Sequence, residues 1–195
     1  MIKIGWPNGD RPAVPLLHVL GLDPGVETGW AYLRCDAQHI AQKGFSASVF
    51  SPGWNVAHGG IDCKAEISGV TDMVNITREV WMEVDQEEGD LFLVALEDFV
   101  LYRMGSDRDL LAPVRLSAAY RDRMRDFRYP CLRQSSSDAK ITLPDGRLRM
   151  WNLCVPGPDH WRDAIRHACL AARKFASDRR TQKWVREMQW REDAS

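Results

Sequence analysis

Two unbroken apolar runs, each closed by an acid, constrain this chain more than any other feature. The first is LLHVLGL (16–22), followed by Asp23; the second is LFLVALE (91–97), which ends in Glu97. Runs this short, without polar alternation, predict strands buried on both faces. Such strands fill the centre of a sheet flanked by helices, which gives an α/β fold class. A carboxylate at the end of such a strand is costly to desolvate unless something cationic meets it. One acid would pass as a turn cap. Two in the same position on separate strands predict a site, with both acids on one edge if the strands are neighbours.

The Pro-Gly after Asp23 predicts a tight turn, with Pro24 fixing one φ and Gly25 adopting a positive one. The chain then returns as an antiparallel strand, GWAYLR (29–34), without covering Asp23. HIAQKGFSA (39–47) predicts a third strand after a turn at CDAQ, and 48–62, with its Pro, Gly and Asn, predicts a loop. Over 63–87 the period becomes helical, with Ile67, Val70, Val74, Trp81 and Val84 on one face. Met73, Ile76 and Val80 widen that face beyond one core stripe, which predicts a dimer surface. A helix with outward arginines (110–127), a short strand (129–134) and a loop or helix start at SSSDAK (135–140) follow. The last strong helix opens at PGPDH with Asp159 as N-cap and runs to about Phe175.

On that helix His160, Asp163 and His167 fall at i, i+3 and i+7, on one face. Ala164, Ala168, Ala171 and Phe175 lie on the adjoining face and should pack on the sheet; Arg162, Arg166 and Arg173 form an outward stripe. His160 and Asp163 can thus meet Asp23 and Glu97. His167, a turn further on, reads as a packing residue, and Asp98 as pointing to the opposite face. Three acids and an imidazole at one point repel unless they bind cations. Asp and Glu oxygens suit Mg²⁺ and Mn²⁺. Two such ions about 3.5–4 Å apart clamp the attacking and leaving oxygens of a phosphodiester displacement. The expected chemistry is hydrolysis by a metal-activated water, with Asp23 bridging the ions and no covalent intermediate.

Composition narrows the classes. At 195 residues, 45% apolar and 27% charged, one globular domain is expected. No apolar run approaches the roughly 20 residues of a membrane span, and MIKIGWPNGDR lacks the apolar core of a signal peptide. Five scattered cysteines without CxxC argue for a reducing compartment, hence the cytoplasm, and against zinc. The net charge of −1 hides an asymmetry: six Lys/Arg against fifteen Asp/Glu in residues 1–98, and twenty against twelve in 99–195. A basic half suits a polyanion such as nucleic acid. Arg115, Arg121, Lys140, Arg147, Arg162 and Arg166 are its candidate phosphate contacts.

VLGLDPGVETGWAYL, LVALEDFVL and DHWRDAIRHACLAARK resemble the motifs of RuvC-type Holliday junction resolvases, nucleases of the RNase H-like fold. The resemblance covers 16–176, leaving 1–15 as an N-terminal extension and 177–195 as a basic helical tail. QSSSDAKITLPDGRLRMW resembles the stretch before the last motif in phage-encoded members, whose place of work is the bacterial host cytoplasm. The resemblance implies a mixed sheet, antiparallel over its first three strands and parallel thereafter. It implies Asp23, Glu97, His160 and Asp163 as the catalytic, metal-binding set, where many members carry aspartate at the His160 position. It implies a homodimer making paired symmetric cuts in four-way DNA junctions. It also implies an aromatic wedge, Phe99 or Tyr102, and a phosphate contact at Lys140. Three other readings stay open: an RNase H-like enzyme for flaps, forks or RNA–DNA hybrids, a junction-binding protein without catalysis, and an actin-like ATPase. The last begins with a similar Asp-x-Gly turn but needs two such domains, so no small-molecule cofactor is expected.

Overall fold

The computed structural model describes residues 14–43, 55–84, 89–99 and 108–189. β1 (Leu16–Asp23) is the central strand of a five-stranded sheet. β2 (Glu27–Asp36) pairs antiparallel with it, and β3 (Asn55–Asp62) antiparallel with β2 at the edge. On the other side β4 (Leu91–Glu97) runs parallel to β1, and β5 (Cys131–Gln134) parallel to β4. This is the mixed sheet expected, antiparallel first and parallel afterwards. The helices are α1 (Ala37–Lys43), α2 (Glu66–Val84), α3 (Arg108–Asp126), α4 (Ser136–Thr142), α5 (Asp145–Met150), α6 (Asp159–Ser177) and α7 (Arg179–Gln189). Among the described residues no helix is long and apolar enough to cross a membrane.

Every residue of β1 and β4 is buried, because helices cover both faces. Alternation sorts the side chains. Leu17, Val19, Leu91, Leu93 and Ala95 share a core with Ala164, Ala168, Ala171 and Phe175 of α6. Leu20, Leu22, Phe92, Val94 and Leu96 pack on the opposite face with Met73, Val80 and Val84 of α2 and Leu116 and Tyr120 of α3. α7 adds its fully buried Val185 to the α6 side. The alanines of α6 let its backbone reach the sheet at two glycines. A Cβ on Gly21 would lie 2.2 Å from the carbonyl oxygen of Ala164, and one on Gly29 would lie 2.0 Å from that of His160. The start of α6 is thereby fixed against β1 and β2.

Several local expectations are corrected. Residues 37–43 form α1 instead of a strand, because Asp36 Oδ1 accepts from the backbone N of His39 at 2.8 Å, as an N-cap does. The third strand lies at 55–62, in the stretch read as a loop. Gly59 and Gly60 are poor strand formers, but Cβ atoms there would lie 2.8 Å from the Trp30 ring and 3.0 Å from Trp161 Nε1. The two glycines make room for two indoles. Gly25 does not take a positive φ. The turn is closed by Thr28 instead, whose Oγ1 donates to Gly25 O at 3.1 Å. On α2, Met73 and Val80 are buried in the core and are not available as a dimer surface, whereas Ile67 is 88% exposed. Pro158, not Asp159, is the N-cap of α6.

Candidate active site

The register of the sheet creates the acid pair. Leu22 of β1 lies beside Leu96 of β4 in parallel register, so the next residues, Asp23 and Glu97, end neighbouring strands together. Both fall on the α6 face and each is only 6% exposed. Asp98 points the other way and pairs with Arg133, as expected. The Asp23 and Glu97 carboxyl groups are close enough to act directly on each other. Two carboxylates in contact share a proton because both cannot ionise cheaply. Burial, opposed by His160 and helped by Glu97, pushes Asp23 up to about 8. Burial also works to raise Glu97, but the polar groups of His167, Asp23 and Ser136 around it outweigh that and hold Glu97 down to about 2.

α6 brings the remaining members. His160 Nδ1 lies 3.0 Å from Asp23 Oδ2, and the imidazole is raised above its ordinary value, first by that hydrogen bond against its burial. Asp163 sits on the same wall, but its carboxylate is held by Arg166 and by Lys140 Nζ at 3.1 Å. His167, read as a packing residue, is fully buried and brings Nε2 to 3.4 Å from Glu97 Oε2. Asp23, Glu97, His160 and Asp163 line an open cleft of about 780 Å³ with Glu27, Lys64, Phe99, Ser136 and Trp161, and His167 lies behind them. Among the described residues no group of three or more His, Cys, Asp or Glu side chains is arranged to hold a metal ion. The Asp23–Glu97 contact nevertheless fits a cation, which would replace the shared proton and relieve the repulsion.

The basic candidates separate. Lys140 lines the cleft with its side chain 55% exposed. Phe99, 39% exposed, lines it too; Tyr102 lies outside the described residues. Arg166 is not on an outward stripe. It is buried, and it ties Asp163 to Asp145 of α5 and donates to Leu143 O at 3.0 Å. Arg162 pairs with Asp159 and donates to Gly157 O at 3.0 Å, which pins the loop before α6. Arg115 pairs with Glu66 at 2.7 Å, and Arg147 donates to Thr142 O at 2.7 Å. Arg121 is exposed on α3. Glu27, Ser136, Trp161 and His167 escaped sequence reading. For His167 the signal was present in its i+7 spacing from His160; Ser136 follows the cap Ser135, which accepts from Asp138 N at 3.1 Å.

No protein-family model matches the chain, and no curated protein sequence does. Solved structures do. One is Thermus thermophilus RuvC in complex with a Holliday junction substrate, with a TM-score of 0.55 and 15% identity over 81% of this chain and 94% of that one. Another, described as the Thermus thermophilus RuvC structure, gives a TM-score of 0.53 and 15% identity over 80% of this chain and 94% of that one. At this identity the likeness is one of fold. A central β1 flanked by antiparallel β2 and parallel β4, with helices on both faces, is the RNase H-like fold in the form that RuvC takes.

Proposed function

We propose that the chain is a divalent-metal-dependent endonuclease that cuts branched DNA, four-way junctions in particular, by hydrolysing phosphodiester bonds. One observation carries the reading: two buried carboxylates, Asp23 and Glu97, touch at the ends of adjacent parallel strands and face an open cleft. Burying two such groups together is costly, and a cation removes the cost. Asp23, Glu97 and His160, with Asp163 on the same wall, are the residues that would hold two Mg²⁺ or Mn²⁺ ions. When bound, such ions supply Lewis-acid stabilisation of charge on a phosphate and a more acidic water.

The chain's own groups have separable roles. His160 fixes the orientation of Asp23 through Nδ1. Lys140, already at the cleft and half exposed, offers a positive charge to a backbone phosphate. Phe99 presents an aromatic face on which an unpaired base at a branch point can stack. Two symmetric cuts call for two copies, so the working form is a homodimer. The likeness to a RuvC solved with a Holliday junction supports branched DNA as the substrate.

Labelled four-way junction, flap, fork and RNA–DNA hybrid substrates, each incubated with Mg²⁺ and with Mn²⁺, test the reading. Paired symmetric nicks in opposite arms of the junction are expected. Cleavage confined to flaps, forks or hybrids reassigns the substrate, and tight junction binding without cleavage in either metal removes the enzymatic role.

A further inference from the structure

His167 is a polar ring in an apolar setting, fully buried on α6 between Ala164 and Ala171. Its two nitrogens face different elements of the sheet. Nδ1 lies 3.0 Å from the side-chain amide of Gln134, and Nε2 lies 3.4 Å from Glu97 Oε2. Gln134 ends β5 directly beside Glu97, the end of β4. These contacts decide where the ring carries its proton. With its amide turned to satisfy both of its atoms, Gln134 donates to Nδ1 at 3.0 Å and to His167 O at 3.1 Å, while its oxygen accepts from Ala171 N at 3.1 Å. Nδ1 is then an acceptor, so the neutral ring bears its hydrogen on Nε2, the atom turned to Glu97. The other amide orientation would leave a bare Nε2 lone pair against a buried carboxylate. No hydrogen bond closes on Nε2 among the described residues, and the group it faces is Glu97 Oε2 at 3.4 Å.

We propose that His167 is a positioning residue: Gln134 locks it as the Nε2–H tautomer, and its N–H, aimed at Glu97, keeps that carboxylate turned to the cleft. The proposal rests on the reading of Glu97 as a cation ligand. Its direction agrees with the low position of Glu97, since the nearby His167 is the largest influence opposing burial there. It also gives a use to a costly feature, because a buried imidazole that packed only by shape would be better replaced by leucine.

Two measurements on the full chain test it. The first is the nitrogen NMR pattern of the His167 ring in the wild-type protein, for which a neutral ring with hydrogen on Nε2 is expected. A ring with hydrogen on Nδ1 overturns the proposal. The second is Mn²⁺ affinity, by calorimetry, for the wild type, Glu97→Gln and three His167 variants. His167→Gln keeps an N–H near the Nε2 position and should stay within about threefold of wild type. His167→Asn reaches only Gln134, and His167→Leu reaches neither partner; both should bind Mn²⁺ at least about tenfold more weakly, as loss of a ligand's hydrogen-bond partner does elsewhere. A merely structural role would lower the melting temperature of all three without this ranking, and equal affinity for His167→Leu and wild type overturns the proposal. The two readings fail separately. If Glu97→Gln abolishes Mn²⁺ binding and His167→Leu does not change it, only the positioning role is lost. If the wild type binds no Mn²⁺, or Glu97→Gln leaves binding intact, the cation reading falls and takes the positioning role with it.

Discussion

β1 buries polar groups near both of its ends, and it does so differently at each. Near the start, His18 Nδ1 meets the Tyr32 hydroxyl at 2.5 Å and His18 Nε2 meets Asp90 Oδ2 at 2.7 Å. The other Asp90 oxygen accepts from Leu16 N at 2.9 Å. One acid, one imidazole, a hydroxyl and an amide satisfy one another, all buried. At the other end two acids face two imidazoles, the partly exposed His160 on Asp23 and the buried His167 on Glu97, beside an open cleft. The first set pairs its acid with an imidazole, away from any opening. The second has one carboxylate more than the protein neutralises, and it faces solvent where a cation can enter. Buried polarity alone therefore does not mark a site on this strand; an unbalanced charge beside an opening does.

The largest effect should come from upsetting the unbalanced end. Asp23→Asn keeps the shape and removes a charge, so cleavage of junction DNA should vanish while binding persists. Residual cleavage above about a tenth of the wild-type rate, some 1.4 kcal/mol of barrier, would show that Asp23 is dispensable. The converse change at the paired end is Asp90→Ala, which strands His18 and Leu16 N. It should cost about 3–5 kcal/mol of stability, as loss of one partner of a buried pair does, and leave the rate per folded molecule unchanged. Denaturant titration alongside cleavage assays separates the two.

Gly29→Ala tests whether the open end depends on the docking of α6. The new methyl meets the backbone of His160, so a cost of about 1–3 kcal/mol is expected. Unlike Asp90→Ala, it should also weaken Mn²⁺ binding. Unchanged Mn²⁺ affinity would mean that His160 does not need its present position.

The ends should also differ with pH. Asp23 is raised from 3.8 to about 8 in the folded protein, so its contribution to stability is complete below pH about 4 and is lost as pH rises through about 8. Glu97 has the opposite sign, but its loss lies below pH 4.5, toward 2. Without metal, the melting temperature should fall between pH 5 and 8, at a slope of at most about 1.4 kcal/mol per pH unit from Asp23. Asp23→Asn should flatten that slope, and Mn²⁺ should reverse it. An identical slope in wild type and variant would place the titrating group elsewhere. The smallest effect is expected from Arg121→Gln, which should reduce the salt dependence of DNA binding by about one counterion. No change in the slope of log affinity against log salt would remove α3 from the DNA surface.

Asp23 and Glu97 were legible in the sequence because an unbroken apolar strand leaves its terminal acid few interpretations. His160 and Asp163 were legible because helical spacing fixes a face. What escaped depends on partners distant in sequence. Arg166 reads as an outward residue until Asp145 and Leu143 of other segments close around it. β3 reads as a loop because its glycines serve Trp30 and Trp161, not the strand itself. On α2 the expected Val70, Val74, Trp81 and Val84 do pack on the core, while Ile67 stays outside and Met73 takes a core position.

The order in which the chain is made gives the docking of α6 a further meaning. All five strands, α2 and α3 emerge before residue 135, so one face of the sheet can be covered early. The other face, with Leu17, Val19, Leu91 and Leu93, has Ile40 of α1 and Leu148 of α5 in its core but lacks its main cover until α6 is synthesised. The segment that finishes the core also carries His160, which is 137 positions from its partner Asp23. Contacts that distant form late in folding. A half-made chain on the ribosome therefore lacks both its closing helix and its complete cleft, and the cleft is finished only together with the fold.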